Sequence, residues 1–72
     1  MNKQESDILN VLLIEPFINQ RILAEVSGHS LGVVNRSLKE LIKMDYLDDG
    51  IRPTVKAITE FKEKTTQRAI IL

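Results

Sequence analysis

The stretch Ser30–Lys43, SLGVVNRSLKELIK, sets hydrogen-bonding and cationic side chains at helical spacing. Arg36 suits a bidentate grip on guanine or on a phosphate, because a guanidinium presents paired donors in one plane. Asn35 suits adenine or a phosphate, and Lys39 and Lys43 suit phosphate oxygens as point charges. Ser30 stands where a helix would begin. Its hydroxyl can cap that helix, and free N–H groups there favour an anion. Gly32 in the first turn costs about 1 kcal/mol against alanine, which the close approach of another backbone would explain. Val33 is expected largely exposed, in reach of a thymine methyl. Arg52 lies where a hairpin arginine would reach a minor groove. Together these eight residues describe a surface for double-stranded DNA. Each also has a plainer reading: Arg36 pairing with Glu40 at i+4, the lysines and Asn35 as a solvated face.

Other chemistries find little support. With one histidine and no cysteine, the chain offers neither a disulfide nor a thiolate metal site. Asp45, Asp48 and Asp49 do not follow the spacing of a calcium loop. No serine has a histidine placed to activate it, so no catalytic residue, metal or cofactor is expected. His29, in a predicted turn, is expected in solvent, with a phosphate contact as the other reading. Asp48 and Asp49 would repel phosphates from the segment that carries Arg52, which argues against contact there. Tyr46 and Phe61 are expected in the core.

The 72 residues carry ten basic and ten acidic side chains, so no global field draws the chain to a polyanion. The charge is uneven. Residues 1–27 and 45–53 are each −2, whereas 28–44 and the remaining tail are each +2. Any anion-binding surface is therefore local, and 28–44 is its best seat. The apolar run Val11–Ile14 falls far short of the ~20 residues of a membrane span. A polar start, Asn2-Lys3-Gln4-Glu5, lacks the apolar core of a secretion signal. A cytoplasmic setting is expected.

The elements that would position this surface follow from caps and breakers. Asn2, with Glu5 three residues on, predicts a capping box opening a helix to Glu15, where Pro16 stops it. Phe17-Ile18 reads as a bridge or a two- or three-residue strand. Asn19 caps a short second helix to Val26, with Ile22, Leu23 and Val26 inward. Gly28 supplies the left-handed turn. Ser30 caps a third helix to Met44, whose inward stripe is Leu31, Val34, Leu38, Leu41 and Ile42. Gly32, Arg36, Lys39, Glu40 and Lys43 lie opposite. Tyr46–Asp48 and Ile51–Arg52 around Asp49-Gly50 predict a hairpin with positive φ at both turn residues. Pro53 ends it. Thr54 caps a last helix to about Lys64, with Val55, Ile58 and Phe61 buried. The fold class is thus mainly α with a small β-hairpin.

This order of elements is that of a winged helix-turn-helix, and Arg21–Leu47, RILAEVSGHSLGVVNRSLKELIKMDYL, closely resembles the winged helices of MarR-like bacterial regulators. The matching positions are Leu23, Ala24 and Glu25, then Gly28, then Ser30, Val34, Arg36, Leu38 and Leu41. That resemblance covers about residues 5–64 and implies DNA binding and transcription regulation, although one fold hosts many functions. A dimer is expected, because one module of this size has little contact area. Arg68–Leu72, RAIIL, looks like the first strand of bacterial sugar-phosphate and phosphocholine nucleotidyltransferases, and Ser30–Leu38 is similar to the winged helices ahead of such enzymes. The resemblance implies a winged-helix domain over 1–64, a linker over 65–67 and, at 68–72, the start of an enzymatic domain that would be this domain's partner. The glycine-rich loop of that family is missing, so this chain itself is expected neither to bind nucleotide nor to catalyse. Two further readings stand beside this one: a protein-binding assembly module of the enzyme that does not bind DNA, and a stand-alone MarR-like regulator.

Overall fold

The computed structural model describes residues 1–62. The end of the last predicted helix, the linker 65–67 and the strand 68–72 lie outside the described residues. The elements are α1 (Lys3–Ile14), α2 (Gln20–Ser27), α3 (Leu31–Lys43) and α4 (Val55–Ala57), the last running on as a wider π-type turn over Ile58–Lys62. Each of the four α-helices opens on the predicted cap. Asn2 and Glu5 form both bonds of the capping box, at 2.8 and 3.1 Å. Asn19 accepts from the Ile22 N–H at 2.9 Å, Ser30 from Val33 at 3.2 Å and Thr54 from Ala57 at 3.3 Å. Each side chain satisfies a backbone donor that the first helical turn leaves free.

Helices α1, α2 and α3 pack on one another around Ile8, Leu9, Leu12, Leu23, Val34, Leu38 and Leu41, closed by Leu47 and Ala57. The inward stripes are narrower than the sequence pattern predicts. In α2 only Leu23 is buried; Ile22 is exposed and Val26 is 60% exposed. Leu31 opens α3 at the surface, Val55 is 79% exposed and Ile58 is also exposed. A helix of eight residues meets a small core along one line, so apolar side chains one step off that line face water. Tyr46 and Phe61 do pack against the core, edge to face at 5.5 Å.

None of the strands predicted among the described residues forms. At Phe17-Ile18 the chain turns, with the Ile18 N–H bonded to the Glu15 carbonyl at 3.2 Å. In place of the hairpin, a single antiparallel bridge joins Leu47 and Pro53. The Arg52 N–H is taken up by the Asp48 carboxylate at 3.1 Å, and Pro53 has no N–H, so a regular ladder lacks donors. The turn also differs from the expectation. The Asp48 carbonyl accepts from Ile51, and positive φ falls on Ile51 (61°) instead of Asp49 or Gly50. This is a three-residue loop, a turn followed by one left-handed residue, which would ordinarily be glycine. No described helix is long and apolar enough to cross a membrane.

Candidate nucleic-acid interface

The tight turn between α2 and α3 is held at both ends. Gly28 takes φ 76°, and its N–H and that of His29 return to the Glu25 and Ala24 carbonyls at 3.3 and 3.1 Å. These paired bonds satisfy the last carbonyls of α2 and turn the chain sharply. His29, expected in solvent, is instead 20% exposed, with Nε2 3.0 Å from Oδ2 of Asp7 on α1. The turn is thereby tied to the first helix one residue before the Ser30 cap.

Helix α3 presents two distinct faces. Val34, Ser37, Leu38 and Leu41 are buried. Gly32, Asn35, Arg36, Lys39 and Lys43 are exposed, while Val33, expected largely exposed, is half-buried. At about 100° per residue, Lys39, Gly32, Lys43 and Arg36 share an arc of roughly 60° opposite the core. Asn35 lies to one side and Glu40 to the other. Along the axis the row from Gly32 to Lys43 is about 16 Å long. Among the described residues no ion pair engages Arg36, Lys39 or Lys43; the i+4 pairing of Arg36 with Glu40 is not formed. Around Gly32 a Cβ would meet no atom within 4 Å, so nothing in the described chain requires glycine there.

Arg52 is drawn to another part of the molecule. Its guanidinium stacks over the Phe17 ring at 4.6 Å, beside a small apolar groove of Leu12, Leu13, Pro16, Pro53 and Ile58. Asp48, expected from the sequence to repel phosphate, is occupied within its own loop, where Oδ1 accepts from the Gly50 and Arg52 N–H groups at 2.9 and 3.1 Å. Ser30, Gly32, Val33, Asn35, Arg36, Lys39 and Lys43 are therefore brought together by α3, and Arg52 packs on the turn between α1 and α2.

Several supporting residues carry no local sequence signal. Asp45, just past α3, has φ 64°, and the N–H groups of Asp45 and Tyr46 close the helix onto Ile42 and Leu41 at 3.0 and 2.9 Å. Lys56 donates to the Met44 carbonyl at 3.0 Å while its ammonium lies 4.6 Å over the Tyr46 ring. A cation at the C-terminal end of α3 also meets the negative end of its dipole. The Tyr46 hydroxyl donates to Glu60 at 2.8 Å, and that bond to a carboxylate, reinforced by partial burial and the charge, raises the phenol above its ordinary value. Among the described residues no three of His, Asp and Glu converge as a metal site.

No curated protein and no solved structure matches the chain. The winged helix-turn-helix DNA-binding family does, over residues 1–48, the segment that holds α1, α2, the tight turn and the whole of α3. With the match covering two thirds of the 72 residues, and the helix-turn-helix geometry in place, the chain belongs to the winged helix-turn-helix DNA-binding family.

Proposed function

We infer that this domain binds double-stranded DNA by laying the outer face of α3 in the major groove. The observation that carries the reading is the row of Arg36, Lys39 and Lys43, exposed and free of ion pairs among the described residues, on the second helix of a helix-turn-helix. Arg36 and Asn35 face bases. Lys39, Lys43 and the Ser30 end of α3 face phosphates, with Gly32 at the line of closest approach and the half-buried Val33 on the flank, where its exposed part can reach a thymine methyl. Arg52 is the outlying member, since its stacking on Phe17 must loosen before it reaches a groove. A second copy of the chain supplies the remaining contact area. On this reading the wider protein is a transcription regulator of MarR-like type. Its link to a nucleotidyltransferase rests on Arg68–Leu72 and the Ser30–Leu38 run alone, and the family match supports the DNA-binding part only.

Fluorescence anisotropy with a labelled mixed-sequence duplex across a salt series tests the reading. Two cations on phosphates, Lys39 and Lys43, give a slope of log K against log salt near −1.8, at about −0.9 per contact. Lys39→Ala should flatten that slope by about 1, and Arg36→Ala should lower affinity by about 1–3 kcal/mol. Wild-type affinity in the Arg36→Ala, Lys39→Ala double variant would exclude α3 as the DNA-contacting element.

A further inference from the structure

A polar groove of about 510 Å³ runs between the start of α1 and the flank of α3, lined by Asn2, Gln4, Glu5, Arg36, Ser37 and Glu40. Two of its side chains are more than nine-tenths buried yet carry unused polar atoms. Ser37 is 4% exposed, and its hydroxyl has no hydrogen-bond partner among the described residues. Glu5 is 9% exposed; Oε1 accepts from the Asn2 N–H, and Oε2 has no such partner among them. No fully enclosed side-chain polar atom among the described residues lacks a partner, so both atoms open onto the groove. Both oxygens are therefore available to a ligand that enters the groove.

The lining specifies the chemistry of that ligand. Glu5 and Glu40 are acceptors with negative charge and Ser37 adds a hydroxyl, which together suit a primary ammonium with three donors. Arg36, which lines the same groove and has no ion pair among the described residues, suits a carboxylate. We propose that this groove binds a small zwitterion of the α-amino-acid type, its ammonium on Glu5, Ser37 and Glu40 and its carboxylate on Arg36. Arg36 lies on the boundary between the groove and the DNA face, with Ser37 about 100° round the helix and Glu40 between them. A bound carboxylate draws the guanidinium towards the groove, so ligand and DNA compete for one side chain. That antagonism rests on the DNA-binding reading; the ligand site does not.

The test is an amide-shift titration of the isotope-labelled chain with each of the twenty L-amino acids, with acetate and methylammonium as one-charge controls. The expected result is saturable shifts at residues 2–5 and 36–40 with at least one amino acid and none with either control. Glu5→Gln keeps the capping box while removing the charge. It should weaken binding tenfold or more, and so should Ser37→Ala, without lowering the unfolding temperature, since that hydroxyl has no partner to lose. The absence of saturable shifts, equal shifts with acetate alone, or unchanged binding in both variants would overturn the site. In anisotropy, the saturating amino acid should weaken duplex binding at least about fivefold. Equal duplex affinity with and without the bound ligand would overturn the antagonism. A chain that binds the amino acid but no duplex would refute the DNA reading and leave the ligand site established.

Discussion

Gly32 offers a substitution in which stability and function should move in opposite directions. It is the second residue of α3, exposed, and an added Cβ there meets no atom within 4 Å. Nothing in the described fold opposes alanine at this position. Gly32→Ala removes backbone freedom from the unfolded chain, and glycine within a helix costs roughly 0.5–1 kcal/mol relative to alanine. For a domain of this size that raises the melting temperature by roughly 2–8 °C. If Gly32 is there to let a phosphate or base edge approach the α3 backbone, the same methyl overpacks that contact by about 1–3 kcal/mol, or roughly 5- to 150-fold in affinity. Thermal unfolding by circular dichroism and duplex binding by anisotropy, made on the same preparation, read the two effects. Higher stability with unchanged affinity would refute close approach of DNA at Gly32. Lower stability would refute the open surroundings of that residue. A second subunit at the same place would instead show as lost self-association in sedimentation.

Three further outcomes follow from the fold. Asp45 holds φ 64° just past the end of α3, a position where a negative charge is unfavourable beside the negative end of the helix dipole. Asp45→Gly should therefore stabilise the domain by about 1 kcal/mol, and by more than Asp45→Ala, which removes the charge but keeps the left-handed strain; equal gains in urea titrations would contradict this. Leu41, fully buried on α3, should cost about 2–5 kcal/mol as Leu41→Ala, enough to leave much of so small a domain unfolded by circular dichroism at room temperature. Tyr46 is the sole tyrosine and there is no tryptophan, so tyrosinate absorbance reports it alone. Its phenol, raised by Glu60, should ionise above the unfolded value of about 10. The stability from this bond is complete below that pH and fades as pH rises through the folded value; Glu60→Ala should return the titration to the ordinary range.

What the sequence discloses here is what depends on near neighbours. Asn2, Asn19, Ser30 and Thr54 each cap an N–H three residues ahead, and Gly28 takes the left-handed turn its position predicts. The outer face of α3 is legible for the same reason, because helical periodicity alone sets Lys39, Gly32, Lys43 and Arg36 side by side. Burial is another matter. Whether Val26 or Leu31 faces the core depends on where α1 lies, and a stripe of apolar residues does not carry that information. His29 and Asp7 are 22 residues apart, Lys56 and the Met44 carbonyl 12, and no local pattern joins them. The missed hairpin has a subtler origin. Asp-Gly favours a two-residue turn, but Asp48 just before it offers a carboxylate to two backbone donors, and those bonds set a longer loop.

A neutral chain that binds a polyanion is a contradiction only if charge acts globally. At 0.1 M salt the screening length is about 10 Å, shorter than the ~16 Å row from Gly32 to Lys43. A phosphate on the outer face of α3 therefore senses chiefly the charges beside it, Arg36, Lys39 and Lys43 with Glu40 on the flank and Glu5 in the groove next to Arg36. Asp48 belongs to the loop by its own hydrogen bonds, so its charge is a cost of shaping the Leu47–Pro53 connection and carries no message about DNA. The zero total has a different consequence. Long-range steering, which depends on the whole field, is weak, so affinity must come from contacts made after encounter. That places the burden on the geometry of α3, on the Gly28 turn and the Asp7–His29 tie that aim it, and on the Asp45 and Lys56 closures that end it.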